Sequence, residues 1–116
     1  MRIALATGIV LTLALAAFAS PGIFVGELIP PPSAAEGSRL YVKGRNSMVR
    51  RVDIAGARVF YGETVVERDR RRNAAESLLP GAEVRVTADQ DSDGEWHAQQ
   101  VEITRTASGS GPTTND

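Results

Sequence analysis

Hydrophobic and polar positions alternate most regularly between Leu78 and Ile103, LLPGAEVRVTADQDSDGEWHAQQVEI. Pro80-Gly81 is a turn signal. After it Ala82, Val84, Val86 and Ala88 alternate with Glu83, Arg85, Thr87 and Asp89. A period of two predicts a strand with one buried and one wet face. Asp89 to Gly94 is polar and turn-rich, and Trp96 to Ile103 predicts the second strand of a β-hairpin. In that strand Trp96 and Ala98 share one parity, Val101 and Ile103 the other. One extra residue at Gln99-Gln100, a bulge, brings all four onto one face.

Three shorter strands are predicted upstream. Leu40 and Val42 alternate with Arg39 and Lys43, and Gly44 to Ser47 is a loop. Met48 to Ile54 follows, with Val52 and Ile54 on one face and Arg51 and Asp53 on the other. Ala55-Gly56-Ala57 makes a tight connection. Arg58 to Val66 is rich in β-formers, and Gly62 within it marks a bulge or a bend at a barrel corner. Neighbours Phe60 and Tyr61 are expected on opposite faces, so at most one faces any groove. Glu67 to Arg72 is heavily charged, and Asn73 to Leu79 predicts two helical turns held by packing of Leu78 or Leu79. Three strands, a short helix and a closing hairpin predict a mainly β fold. The expected form is a small OB-like barrel of about five strands over residues 38–105, with Val84, Val86, Val101 and Ile103 in its lining.

The amino-terminal part reads differently. Ile3 to Ala19 carries no charge and predicts an N-terminal hydrophobic helix. Ala17-Phe18-Ala19 has the small-x-small form of a secretory cleavage site, so residues 1–19 are expected to be a signal peptide cut before Ser20, or a retained membrane anchor. Residues 20–37, with Pro30-Pro31-Pro32, are expected to form a proline-rich linker. Residues 106–116 are expected to be a disordered tail. The chain is then exported: periplasmic, secreted or anchored to the outer face of the cytoplasmic membrane.

The composition narrows the chemistry. The 116 residues contain 13 basic and 14 acidic side chains, one histidine and no cysteine. Disulfides, thiolate metal sites and thiol catalysis are therefore excluded in this chain, and a multi-histidine metal site needs more than His97. Near-neutral charge gives no global attraction to nucleic acid or anionic membranes. Asp89, Asp91, Asp93 and Glu95 match the first half of a calcium loop, D-x-D-x-D-G, but the closing glutamate position holds Gln100. The alternative is an acidic hairpin turn around Asp93-Gly94. Arg68, Arg70, Arg71 and Arg72 form the candidate anion site, and the alternative is a solvated loop paired in part with Glu67 and Asp69. His97 is expected as an outward strand residue, and the serines lie in no nucleophile motif.

Val52 to Ile103 resembles a bacterial family of exported domains of unknown function. The likeness lies in Gly56-Ala57-Arg58-Val59-Phe60-Tyr61, Thr64, the stretch Leu78 to Val86, Asp93-Gly94, and Ala98-Gln99-Gln100-Val101-Glu102-Ile103. These are turn and core positions. The resemblance implies an OB-like barrel outside the cytoplasm, with no catalytic residues to carry over. The expected function is a non-enzymatic exported module that binds a protein or an envelope polymer. The alternatives are a divalent-cation-binding structural domain and an anion or oligonucleotide binder.

Overall fold

The computed structural model describes residues 20–33 and 37–108. The expected hydrophobic helix, signal peptide or anchor over 1–19 lies outside the described residues, as do residues 109–116 of the expected tail. The described residues form six strands: β1 (Ser20–Ile29), β2 (Arg39–Lys43), β3 (Val49–Asp53), β4 (Arg58–Tyr61), β5 (Glu83–Gln90) and β6 (Trp96–Arg105). They form one sheet in the order β3-β2-β1-β5-β6-β4, and β3 also pairs with β6. That last pairing closes β1, β2, β3, β5 and β6 into a five-stranded barrel. β4 lies outside the ring, parallel to β6 from Arg58↔Gln100 to Tyr61↔Ile103.

The hairpin forms as its alternation predicts. Thr87 pairs with Gln100 and Ala88 with Ala98, so Gln99 is the extra residue. The bulge restores the inward parity of Ala98, Val101 and Ile103, all buried. A second irregularity falls at Thr104, between the pairs Glu83↔Arg105 and Val84↔Ile103. Val84, Val86, Val101 and Ile103 are completely buried, joined in the core by Leu28, Val42, Val52 and Ala82.

The expected linker over 20–37 requires a correction, because Ser20 to Ile29 is a barrel strand. Its first part pairs with β5 from Ser20↔Gln90 to Glu27↔Glu83, and its end pairs with β2 through Glu27↔Lys43, Leu28↔Val42 and Ile29↔Tyr41. The barrel therefore starts at Ser20 rather than Ser38. Pro21 suits this place because it stands at the start of a strand, where a missing N–H is tolerated. Gly22 and Gly26 allow close approach. A Cβ at Gly22 would lie 2.9 Å from two carbons of the Trp96 indole, and one at Gly26 would lie 2.4 Å from the Lys43 carbonyl oxygen. Phe24, between them, meets Trp96 edge-on at 5.3 Å between ring centroids.

The third expected strand is also shorter than its composition suggests. It ends at Tyr61, where Gly62 donates its N–H to the Ile103 carbonyl at 2.9 Å and the chain turns away. The expected helix over Asn73 to Leu79 is a single 3₁₀ turn, Ala74–Ser77, and a second such turn covers Glu67–Asp69. Asn73 caps the former, its Oδ1 accepting the Ala75 N–H. Thr106, expected in the tail, is buried, and its hydroxyl has no partner.

Candidate functional site

Two constellations contain most of the residues singled out by sequence. The first lies at the seam where β3 meets β6. Only two residue pairs close the ring there, Val52↔Trp96 and Asp53↔His97. The β5–β6 turn stands beside it and is shaped by Asp91, whose Oδ1 accepts the N–H of Asp93 at 2.9 Å and of Glu95 at 3.0 Å. Gly94 adopts a φ of 86°, which its missing Cβ permits. Asp91 Oδ2 reaches His97 Nε2 at 2.8 Å, and His97 Nδ1 lies 3.5 Å from Asp53 Oδ2. Asp53 Oδ1 accepts hydrogen bonds from the Ser38 hydroxyl and the Ala55 N–H. Glu95 takes the Arg39 guanidinium at 2.8 Å and the Arg51 guanidinium at 3.3 Å.

This arrangement sets the protonation states. Hydrogen bonding to Asp91, aided by the charges of Asp53 and Glu95, raises the pKa of His97 above its ordinary value. The Ala55 N–H is the main influence holding Asp53 below the ordinary carboxylate range, His97 does so for Asp91, and Arg39 for Glu95. Three of the four acidic residues of the calcium-loop pattern have separate partners. Asp91 binds the turn and His97, Glu95 binds the arginines, and Asp89 accepts a hydrogen bond from the Gln99 amide. Among the described residues no group of three or more histidine and carboxylate side chains is placed to hold a metal ion. The seam also contains a serine, an aspartate and a histidine, but the Ser38 hydroxyl donates to Asp53 rather than to His97. An imidazole that does not touch the hydroxyl cannot take its proton in a nucleophilic step.

The second constellation is a groove of about 600 Å³ beside β4. Its lining includes Phe60, Tyr61, Glu67, Arg70, Arg71, Arg72 and Asn73. Three of the four predicted arginines come together here, whereas Arg68 is not part of the lining and has interactions of its own. Arg70 is anchored. Its Nε donates to the Val65 carbonyl at 3.0 Å, its Nη2 to the Gly62 carbonyl at 3.2 Å, and its guanidinium lies 5.6 Å from the centre of the Tyr61 ring. Tyr61 holds the next residue, accepting the Arg71 N–H at 2.8 Å while sharing a 2.7 Å hydrogen bond with the buried Ser77 hydroxyl. Arg71 and Arg72 are exposed at the rim.

Two features of the groove depart from the sequence reading. Both Phe60 and Tyr61 border it, because β4 pairs only with β6 and its free edge opens toward the groove, giving side chains of both faces access. Arg58 extends the cationic surface by stacking 4.6 Å from the centre of the Phe60 ring. The contact of Tyr61 with Ser77 spans sixteen residues and leaves no local sequence signal. His97 lies outward as expected, but it is clamped between two carboxylates, one of them six residues before it across a tight turn. Compared with protein-family models, curated proteins and solved structures, the chain matches none.

Proposed function

We propose that the protein is an exported, non-enzymatic OB-like module that grips an anionic polymer of the cell envelope in the groove beside β4. The observation that carries this reading is the pair of exposed guanidiniums at Arg71 and Arg72. Both line the same groove as Phe60 and Tyr61, and the backbone leading to them is held by the anchored Arg70 and by the Arg71 N–H on the Tyr61 hydroxyl. A pinned backbone lowers the ordering cost of binding, and guanidiniums pair with sulfate, phosphate or carboxylate through parallel N–H bonds. Partial seating of sugar or base rings against Phe60 and Tyr61 fits an oligomer better than a free ion. The OB-like assignment is supported by the closed five-stranded ring and by the parallel closure of β3 on β6. The likeness of Val52 to Ile103 to exported domains, and the uncharged run from Ile3 to Ala19, support export. Cleavage before Ser20 would leave β1 whole.

The test is titration of the purified protein with heparin as the anionic probe and dextran as the neutral one, at rising salt. Heparin binding should weaken steadily with salt. In the Arg71→Ala/Arg72→Ala double variant it should weaken by about tenfold or more, since charge-assisted hydrogen bonds contribute about 1.5–3 kcal/mol each. Equal binding of dextran, indifference to salt, or full affinity in the double variant would refute the reading.

A further inference from the structure

The groove beside β4 opens onto the main chain of that strand. Among the described residues β4 pairs with β6 alone, and Gly62, just past its end, still bonds the Ile103 carbonyl. Backbone groups alternate in direction along a strand. In that alternation Arg58 and Phe60 aim theirs at β6, as Gly62 does. Val59 and Tyr61 aim both N–H and C=O the other way. Both residues line the groove, and no described backbone group bonds them on that side. The opposite wall, Arg70 to Ala74, does not take the place of a neighbouring strand. Val59, Tyr61 and Ala74 all pack against the core, and the Tyr61 hydroxyl meets Ser77. The 3₁₀ turn over Ala74–Ser77 therefore covers the inner face of β4 and leaves its edge to the groove. Four residues added alongside β4 need about 13 Å of length, about 4.8 Å of width and about 10 Å of depth, on the order of 600 Å³. The groove offers about 600 Å³.

We propose that the anionic polymer held in this groove is a polypeptide, an extended acidic segment that adds to β4 as a further strand. The inference rests on the reading of the groove as the binding site and names the class of chain it takes. Val59 and Tyr61 present two donors and two acceptors at strand spacing. Phosphate, sulfate and carboxylate groups only accept hydrogen bonds, so a glycan or nucleic acid held by its charges leaves both carbonyls without a donor. A peptide backbone supplies donor and acceptor together, which is how strand addition gains its affinity. The charges choose the sign of the added strand. Arg71 and Arg72 line the groove with one carboxylate, Glu67, and Arg58 stacks on Phe60. A second copy of β4 would bring its own Arg58 and is repelled, in the manner by which charge protects an edge. An acidic strand is attracted. Its side chains alternate between the two faces, and residues opposite one another share a face. Val59 and Tyr61 face inward, where the Tyr61 hydroxyl holds the Arg71 N–H, and Phe60 faces outward with Arg58. Acidic positions of the added strand therefore stand beside Val59 and Tyr61, toward Arg71 and Arg72. The positions between them stand beside Phe60 and suit apolar residues.

Titration of the full chain with a short capped peptide alternating glutamate with valine tests the pairing, with heparin run beside it. The peptide should bind and compete with heparin, and the same peptide with lysine for glutamate should not bind. N-methylation at every glutamate, or at every valine, removes one alternate set of amide donors and keeps the charges. One of these two peptides should bind about tenfold or more weakly, because its donors face β4, and the other should keep its affinity. Hydrogen exchange at the Val59 and Tyr61 amides should slow on binding, while that at Phe60, already bonded to β6, should not change. Peptide binding indifferent to both methylations would overturn the proposal, as would unchanged exchange at Val59 and Tyr61. A protein that binds heparin through Arg71 and Arg72 but not the acidic peptide would overturn this inference and leave the groove as the anion site. Failure of both ligands would overturn the inference together with the reading on which it rests.

Discussion

Replacing Gly26 by alanine tests the closeness of β1 to β2. The new Cβ would stand 2.4 Å from the Lys43 carbonyl oxygen and 2.8 Å from a Val42 methyl. The first obstacle is backbone and has no rotamer by which to move away. The strands must separate by roughly 0.6 Å to reach a tolerable contact, at the first pair of their short ladder, Glu27↔Lys43. Overpacking typically costs about 1–3 kcal/mol, and an obstacle that is backbone puts this case at the upper end, about 2–3 kcal/mol. The lower backbone entropy of alanine in the unfolded chain offsets about 0.5–1 kcal/mol. The net loss of about 1–2 kcal/mol should lower Tm by about 4–15 °C in a domain of this size. Gly56 is the control: a Cβ there meets nothing within 4 Å and its φ is not positive. Gly56→Ala should therefore stabilise by about 0.4–1 kcal/mol. Thermal melts followed by far-ultraviolet circular dichroism compare the two. A Gly26→Ala protein as stable as wild type would refute the close-approach argument and the placement of β1.

Ile103 lies at the centre of the lining, completely buried. Ile103→Val should cost about 0.5–1.5 kcal/mol and Ile103→Ala about 2–5 kcal/mol in urea unfolding, and equal effects would contradict that burial. Tyr61→Phe removes the partner of the buried Ser77 hydroxyl and the acceptor of the Arg71 N–H, so it should cost about 1–3 kcal/mol and also weaken heparin binding. The seam predicts a two-sided dependence of stability on pH. His97 is raised above its ordinary 6.5, so its contribution is fully present below that value and lost as pH rises through the raised one. Asp53 and Asp91 are lowered from 3.8 and Glu95 from 4.5, so their contribution is present above those values and lost as pH falls through the lowered ones. Tm should therefore be highest between pH 4.5 and 6.5. His97→Asn should flatten the alkaline limb and also shrink the Asp91 share of the acid limb, leaving most of the shares of Asp53 and Glu95, with unchanged limbs counting against the seam pairing.

The last hairpin was legible because one face is wet, which writes burial into the sequence at every second residue. The Gln99 bulge followed from the broken parity between Ala98 and Val101. β1 was not legible for the opposite reason. Ile23 and Val25 point outward while Phe24 and Leu28 point inward, so the strand is apolar on both faces and merges with the uncharged run before it. Pro21-Gly22 reads as a breaker, yet the proline stands at a strand start and the glycine makes room for the Trp96 ring. The arginine cluster was visible as composition. The aromatic rings that share its groove were not, because the free edge of β4 that gives Phe60 and Tyr61 access to it is a property of strand order. The calcium-loop pattern shows the converse limit: carboxylates at metal-ligand spacing were recruited by a backbone turn, a histidine and two arginines.

The ring cannot be completed until Ser20 meets Gln90, which joins the first described residue to one 70 positions later. Such distant pairings make folding slow compared with helical domains, on the order of milliseconds to seconds. A polypeptide threaded lengthwise through a narrow pore would thus stay open until almost all of it had emerged. For the export proposed above, wiring that delays the barrel on one side of a membrane would suit its assembly on the other.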